Sequence, residues 1–145
     1  SEDKNKDEIS RHRKEGWLET VFIIEALATD KTSLEDVLKQ HIEKLSKAKD
    51  VFVYERIFHE TLSISDPTPQ IKEGFSQIAE VKLFVKTFYS LMSVVIVYGP
   101  SSIEIIGPTQ KEIKIDEIQN TMNLVAGLIH EFAAAGVGGV VITPK

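Results

Sequence analysis

In YGPSSIEIIGP, residues 98–108, two Gly-Pro pairs bracket a short segment centred on Ile103-Glu104-Ile105-Ile106. Gly99 suits the left-handed conformation that ends a helix, and Pro100 behind it blocks continuation. SSIEII then reads as a strand, stopped by Gly107-Pro108. A phosphate-cradling glycine loop runs from strand into helix. This one runs from helix into strand, so it predicts punctuation and not a nucleotide site.

Upstream, TFYSLMSVVIVYGP carries a β-branched run, Val94 to Val97, that suits a strand. Its Phe88, Leu91, Met92, Val95 and Ile96 also form a helical stripe, with Thr87 placed as an N-cap. The helix stop at Gly99 favours the second reading. Phe75 to Lys86 reads as a strand with one buried face, because Val81, Leu83 and Val85 alternate with charged residues.

Working back, VFVYERIFHETLSIS at 51–65 predicts a strand with Val51, Val53 and Ile57 on one face. Phe52, Tyr54, Phe58, Leu62 and Ile64 take the other, and DPTPQ breaks the chain after it. DKTSLEDVLKQHIEKLSKAKD at 30–50 predicts a helix opened by a Thr32/Glu35 capping box, with Leu34, Val37, Leu38, Ile42 and Leu45 on one face. WLETVFIIEALA, from Trp17 to Ala28, is rich in β-branched and aromatic residues and reads as a strand.

Downstream, KEIKI predicts one more short strand, and Asp116 caps a helix with Gln119 at the box position. Ile118, Met122, Val125, Ile129 and Phe132 recur along it at spacings of four and three, a stripe broader than one small sheet requires. GVGGVVITPK reads as a glycine turn and a short strand.

The fold class expected is therefore α+β: a ferredoxin-like βαββαβ antiparallel sheet with an additional C-terminal helix and short strand. Residues 1–15 alternate charge with only Ile9 as an aliphatic anchor and read as a disordered tail. Residues 16–145 read as a single domain, in which folding buries roughly two-thirds of the surface exposed by the unfolded chain.

The stretch from about Trp17 to Ile106 resembles, in topology, ferredoxin-like regulatory modules such as ACT domains. That resemblance implies a small regulatory domain. The loop between first strand and helix, where ACT domains tend to bind amino acids, is here ATDKTS and contains no glycine.

Composition narrows the function. The chain has 145 residues, 42% of them hydrophobic, and a formal net charge of -5. An acidic balance argues against an extended contact with nucleic-acid phosphates. With no cysteine, disulfides, thiolate catalysis and Cys-based metal sites are excluded. The longest apolar run, Val94 to Tyr98, is far short of a bilayer span, and no secretory signal opens the sequence. A cytoplasmic protein without membrane attachment is expected. Abundant Lys, Glu and Ile without Cys is compatible with a heat-adapted source.

Neither a catalytic nor a metal-ligating constellation stands out, and no cofactor is expected. His12, His41, His59 and His130 lack metal-site spacing. No G-x-S-x-G surrounds a serine, and Ser101 and Ser102 suit turn hydrogen bonds. Asn120 and Asn123 sit on the last helix, away from an acylphosphatase-like arrangement.

Arg56, the only arginine outside the tail, lies mid-strand; strict alternation puts it on one face with Phe52, Tyr54, Phe58 and Glu60. On an open sheet that face would stack RNA bases; the competing reading pairs Arg56 with a cross-strand carboxylate, Glu80 or Glu25. Candidate ligand residues are thus Arg56, His59, Tyr98, Ser101 and Ser102. Ile118, Met122, Val125, Ile129 and Phe132 are the candidate oligomer interface. The leading expectation is a non-enzymatic module that forms a homo-oligomer, a dimer or higher, and binds a small molecule or protein. RNA binding through the Arg56 face, or an enzyme with a cleft between subunits, are the alternatives.

Overall fold

The computed structural model describes residues 2–136. Its elements are α1 (Glu2–Lys14), β1 (Leu18–Ala28), α2 (Lys31–Ser46), β2 (Val51–Phe58), β3 (Leu62–Thr68), β4 (Ile71–Val85), α3 (Phe88–Tyr98), β5 (Ser102–Gly107) and α4 (Ile115–Ala134). The chain divides into two compact units, residues 1–111 and 112–145, where the sequence reading takes 16–145 as one domain.

In the first unit the strands run in the order β2-β4-β1-β5, all antiparallel, with β3 also paired to β4. The path β1-α2-β2, β4-α3-β5 is the ferredoxin-like α+β arrangement, with α2 and α3 supplying the helical layer. β1 and β4 pair without interruption from Leu18↔Val85 to Ala28↔Phe75. Their even and odd residues respectively, Phe22, Ile24, Ala79, Val81, Leu83 and Val85, meet Leu38, Ile42 and Leu45 of α2 and Leu91 and Val94 of α3 in one core. Thr20 is fully buried there, and its hydroxyl donates to the Leu83 carbonyl at 3.2 Å, which removes the penalty of an unpaired buried donor.

The helix caps follow local chemistry. Thr87 accepts from the Ser90 amide and Gly99 ends α3 at φ 59, as its Gly-Pro stop predicts. α2 differs from expectation: Asp30, not Thr32, is the N-cap and accepts from the Ser33 amide at 2.8 Å. Glu35 instead accepts from the Thr61 hydroxyl. Val37 is 60% exposed, so the buried stripe is Leu34, Leu38, Ile42 and Leu45.

The edge opposite β4 is less regular than the sequence pattern predicts. Three register shifts interrupt it: one between Val53 and Glu55, one between Phe58 and Leu62, and one between Ser65 and Thr68. Each adds a residue to the edge and turns its side chains over. Opposite residues share a face, so Arg56, paired with Val81, and Phe58, paired with Ala79, lie on the α2 side. Ile57, paired with Glu80, lies with Phe52 on the other. The last shift places Asp66 at φ 53. β3 continues through Pro67 to Thr68, so only Pro69-Gln70 remains as the turn within the expected loop.

Residues 1–15, read from sequence as a disordered tail, contain α1, whose last turn meets the sheet face opposite α2 and α3. His12 is 6% exposed. Its ring lies 4.1 Å from Trp17, 4.9 Å from Phe52 and 5.8 Å from Phe84. Phe84 is accordingly buried on a strand face expected to be open.

The KEIKI stretch, residues 111–115, forms no strand, and in the second unit α4 starts at Ile115 with Lys114 as an N-cap that makes no side-chain hydrogen bond. Asp116 lies inside the first turn and accepts from the adjacent Glu117 amide. The final strand predicted from GVGGVVITPK falls beyond Gly136, outside the described residues.

Candidate functional site

Glu19 is a charged residue in the apolar run of β1, on the face away from α2. It is 8% exposed. Its carboxylate is held by two neighbours: Arg13 donates through Nε at 3.0 Å and Nη2 at 2.9 Å, and the Tyr54 hydroxyl donates at 2.8 Å. The last turn of α1 delivers Arg13, and its guanidinium lies 5.9 Å from the Phe84 ring centre, over the ring. A bidentate Arg-carboxylate pair with a third donor satisfies the buried charge.

These contacts fix protonation. The Arg13 hydrogen bonds hold the Glu19 carboxyl below its usual range, outweighing the opposite push of burial. Burial raises the Tyr54 phenol, and its hydrogen bond to Glu19 raises it further. Glu19 stays ionised and Tyr54 stays protonated near neutral pH. Such groups suit binding and orientation better than proton transfer, which needs a group poised near the working pH.

A cleft of about 380 Å³ opens beside this cluster, between Trp17, Arg13 and Glu19 on one side and residues 106–109 on the other. The Gly107–Pro108 peptide is cis. Lys111 Nζ donates to the Gly16 carbonyl at 2.7 Å and ties the segment after β5 to the turn between α1 and β1. The cleft thus offers an indole wall, a guanidinium and a carboxylate.

The residues singled out from sequence are dispersed. Arg56 ion-pairs with Glu43 of α2 at 3.2 Å, not with Glu80 or Glu25, and the aromatic face proposed for RNA does not include it. His59 lies between β2 and β3, its Nε2 3.8 Å from a Glu80 oxygen. Tyr98 belongs to the α2–α3 pair: its hydroxyl donates to the Lys44 carbonyl and its carbonyl lies 2.8 Å from His41 Nε2. It also borders a shallower groove of about 270 Å³ with Lys49, Tyr89 and Ser93. Ser101 is bound to Ile23 through its amide and hydroxyl, and Ser102 opens β5, exposed. β2 and β5 are opposite edges of the sheet, so no single pocket gathers these five.

Sequence reading missed Arg13, Trp17, Glu19 and Tyr54 as a group. The available signal was a glutamate near the start of an apolar strand, Glu19, which needs a cation when buried, and the arginines of the N-terminal segment include one that supplies it. In the second unit, Ile118, Met122, Ile129 and Phe132 are exposed along α4 and Val125 is half-buried.

Among the described residues, no group of three or more His, Asp or Glu is arranged to hold a metal ion, and no helix is long and apolar enough to cross a membrane. Neither the curated proteins nor the solved structures contain a match to the chain. The MJ0538 family profile matches residues 19–145, from the second residue of β1 onward and including Glu19 and Tyr54. No ACT-domain family profile matches, so the resemblance to ACT domains is not confirmed by the comparisons; the chain belongs to the MJ0538 family.

Proposed function

We propose that this chain is a non-enzymatic, oligomer-forming binding module of the cytoplasm, with a regulatory or assembly role. The observation that carries the reading is the apolar stripe of α4. Ile118, Met122, Ile129 and Phe132 are 41%, 59%, 48% and 49% exposed, and Ile115 extends the stripe by one more step at 79%. Alternating steps of three and four make this a heptad seam, the pattern by which one helix packs along another. An exposed stripe of this kind marks an interaction surface. The ferredoxin-like topology shared with ACT domains adds support by analogy.

The test is the mass of the full chain in solution. Met122→Glu with Ile129→Glu should give a soluble species of lower mass than the wild-type oligomer in sedimentation or native mass spectrometry. An unchanged mass in the variant, or a monomeric wild type, counts against the proposal.

A second reading rests on the cleft by Glu19. Its volume of about 380 Å³ lies within the range of small-ligand sites, about 300–1,000 Å³. A small molecule bound there would be retained as extra mass in gentle native spectra.

A further inference from the structure

Arg13 and Glu19 are the only charged residues among those that line the cleft beside β1, and they are spent on each other. Arg13 Nε donates to one Glu19 oxygen, while Nη2 and the Tyr54 hydroxyl donate to the other. Both oxygens are engaged, so no free acceptor is left for a cationic ligand. The pair carries no net charge, so it exerts little pull on an anion. Side-on pairing uses two of the five N–H donors of a guanidinium. Those on Nη1 have no partner among the described residues, and the Arg13 side chain is 60% exposed.

The rest of the lining is largely flat or apolar. Trp17 is half-buried, and His12 backs its ring at 4.1 Å, which holds the indole in place as a wall. Ile106, 51% exposed, and Pro108 belong to the other side. Lys111, itself outside the lining, joins the two sides through its bond to the Gly16 carbonyl. Walls tied together before a ligand arrives lose little freedom when it binds.

We infer that this cleft binds an uncharged planar ring that carries a carbonyl acceptor, as an aromatic amide or a lactam ring does. The ring stacks on Trp17, and its carbonyl accepts from Arg13 Nη1. An ion of either sign would give up its hydration among apolar walls with no opposite charge left to meet it. A saturated ring of the same size would lose the stacking. The inference rests on the second reading above, that the cleft holds a small molecule, and adds to it the class of that molecule.

Trp17 is the only tryptophan in the chain, so its emission reports on this cleft. Four compounds of similar size decide the matter in the wild-type full chain: benzamide, benzoate, benzamidine and cyclohexanecarboxamide. Benzamide should change Trp17 fluorescence saturably, and each of the other three should bind about tenfold more weakly or worse. Trp17→Leu, shown folded by cooperative urea unfolding, should lose benzamide binding in ligand-observed NMR; the wild-type series decides even if that variant does not fold. Equal or tighter binding of benzoate, benzamidine or cyclohexanecarboxamide at Trp17 overturns the inference and leaves the small-molecule reading standing. Undiminished benzamide binding to folded Trp17→Leu also overturns it, because the ligand then sits elsewhere. So does a merely linear, collisional response to benzamide. If the response to all four is linear and native spectra of the wild type carry no extra mass, the small-molecule reading falls as well.

Discussion

Glu19 and His12 lie on either side of the same aromatic cluster, and burial treats them differently. Glu19 has two donors and stays charged. His12 has none at its buried Nδ1, and burial, with Arg11 nearby as a smaller cause, lowers its pKa while Glu15 and Glu8 oppose weakly. Arg13, Glu19 and Tyr54 are the other titratable groups around this face. An unfolded chain binds the imidazole proton more tightly than the folded one. The resulting stability is present above about pH 6.5 and is lost as pH falls from there through the lower folded pKa. In urea unfolding, the wild type should therefore lose more stability between pH 7.5 and 5 than His12→Phe. Equal losses would show that His12 is not the titrating group. Neither role was legible residue by residue: a histidine between two arginines in RHRKEG reads as solvated until its aromatic neighbours, distant in sequence, are placed over it.

At the level of elements, the legible parts were those whose signals are local. Thr87, the apolar stripe behind it and Gly99 define α3 within a dozen residues, and the structure forms it that way. Gly99 is the position where this can be measured. A Cβ there meets nothing within 4 Å, so the cost of Gly99→Ala comes from φ 59 alone, about 1 kcal/mol of stability by urea titration. No loss would mean that the helix end relaxes into another conformation. By contrast, α1 has a polar sequence and is positioned by His12 and Arg13 against residues far along the chain, which no periodicity reports. The cap of α2 was misplaced because Asp30 and Thr32 are both good caps and only the geometry of the preceding turn selects between them. The side on which Arg56 falls depends on an added residue in β2, which a pattern of alternation assumes absent.

For the whole molecule, the antiparallel sheet and its α2–α3 layer were readable because the core is built from regular β1 and β4, where every second residue points inward without a slip. The placement of Arg56, His59, Tyr98, Ser101 and Ser102 was not, since strand order decides which edge each occupies. Stability should be graded the same way. Amides of β1 and β4, flanked on both sides, are expected to exchange slowest in deuterium labelling, and those of β3 and the first turn of α1 fastest. A pattern in which β3 is as protected as β1 would contradict this picture of the sheet.

The shifts along the β2–β3 edge have an evolutionary consequence. Each is a local insertion that the pairing on either side has absorbed. Between the first and second shift, inward and outward positions are exchanged; after the second, Leu62 and Ile64 return to the side of Phe52. Loss of the added residue near Tyr54 would join a residue opposite Leu83 directly to one opposite Lys82 and leave Arg56 opposite Val81. Loss of one residue between Phe58 and Leu62 would likewise close onto regular pairing. Length variation in relatives should therefore fall at these two places, independently at each, and spare β1 and β4, whose mutual pairing has no added residue to lose.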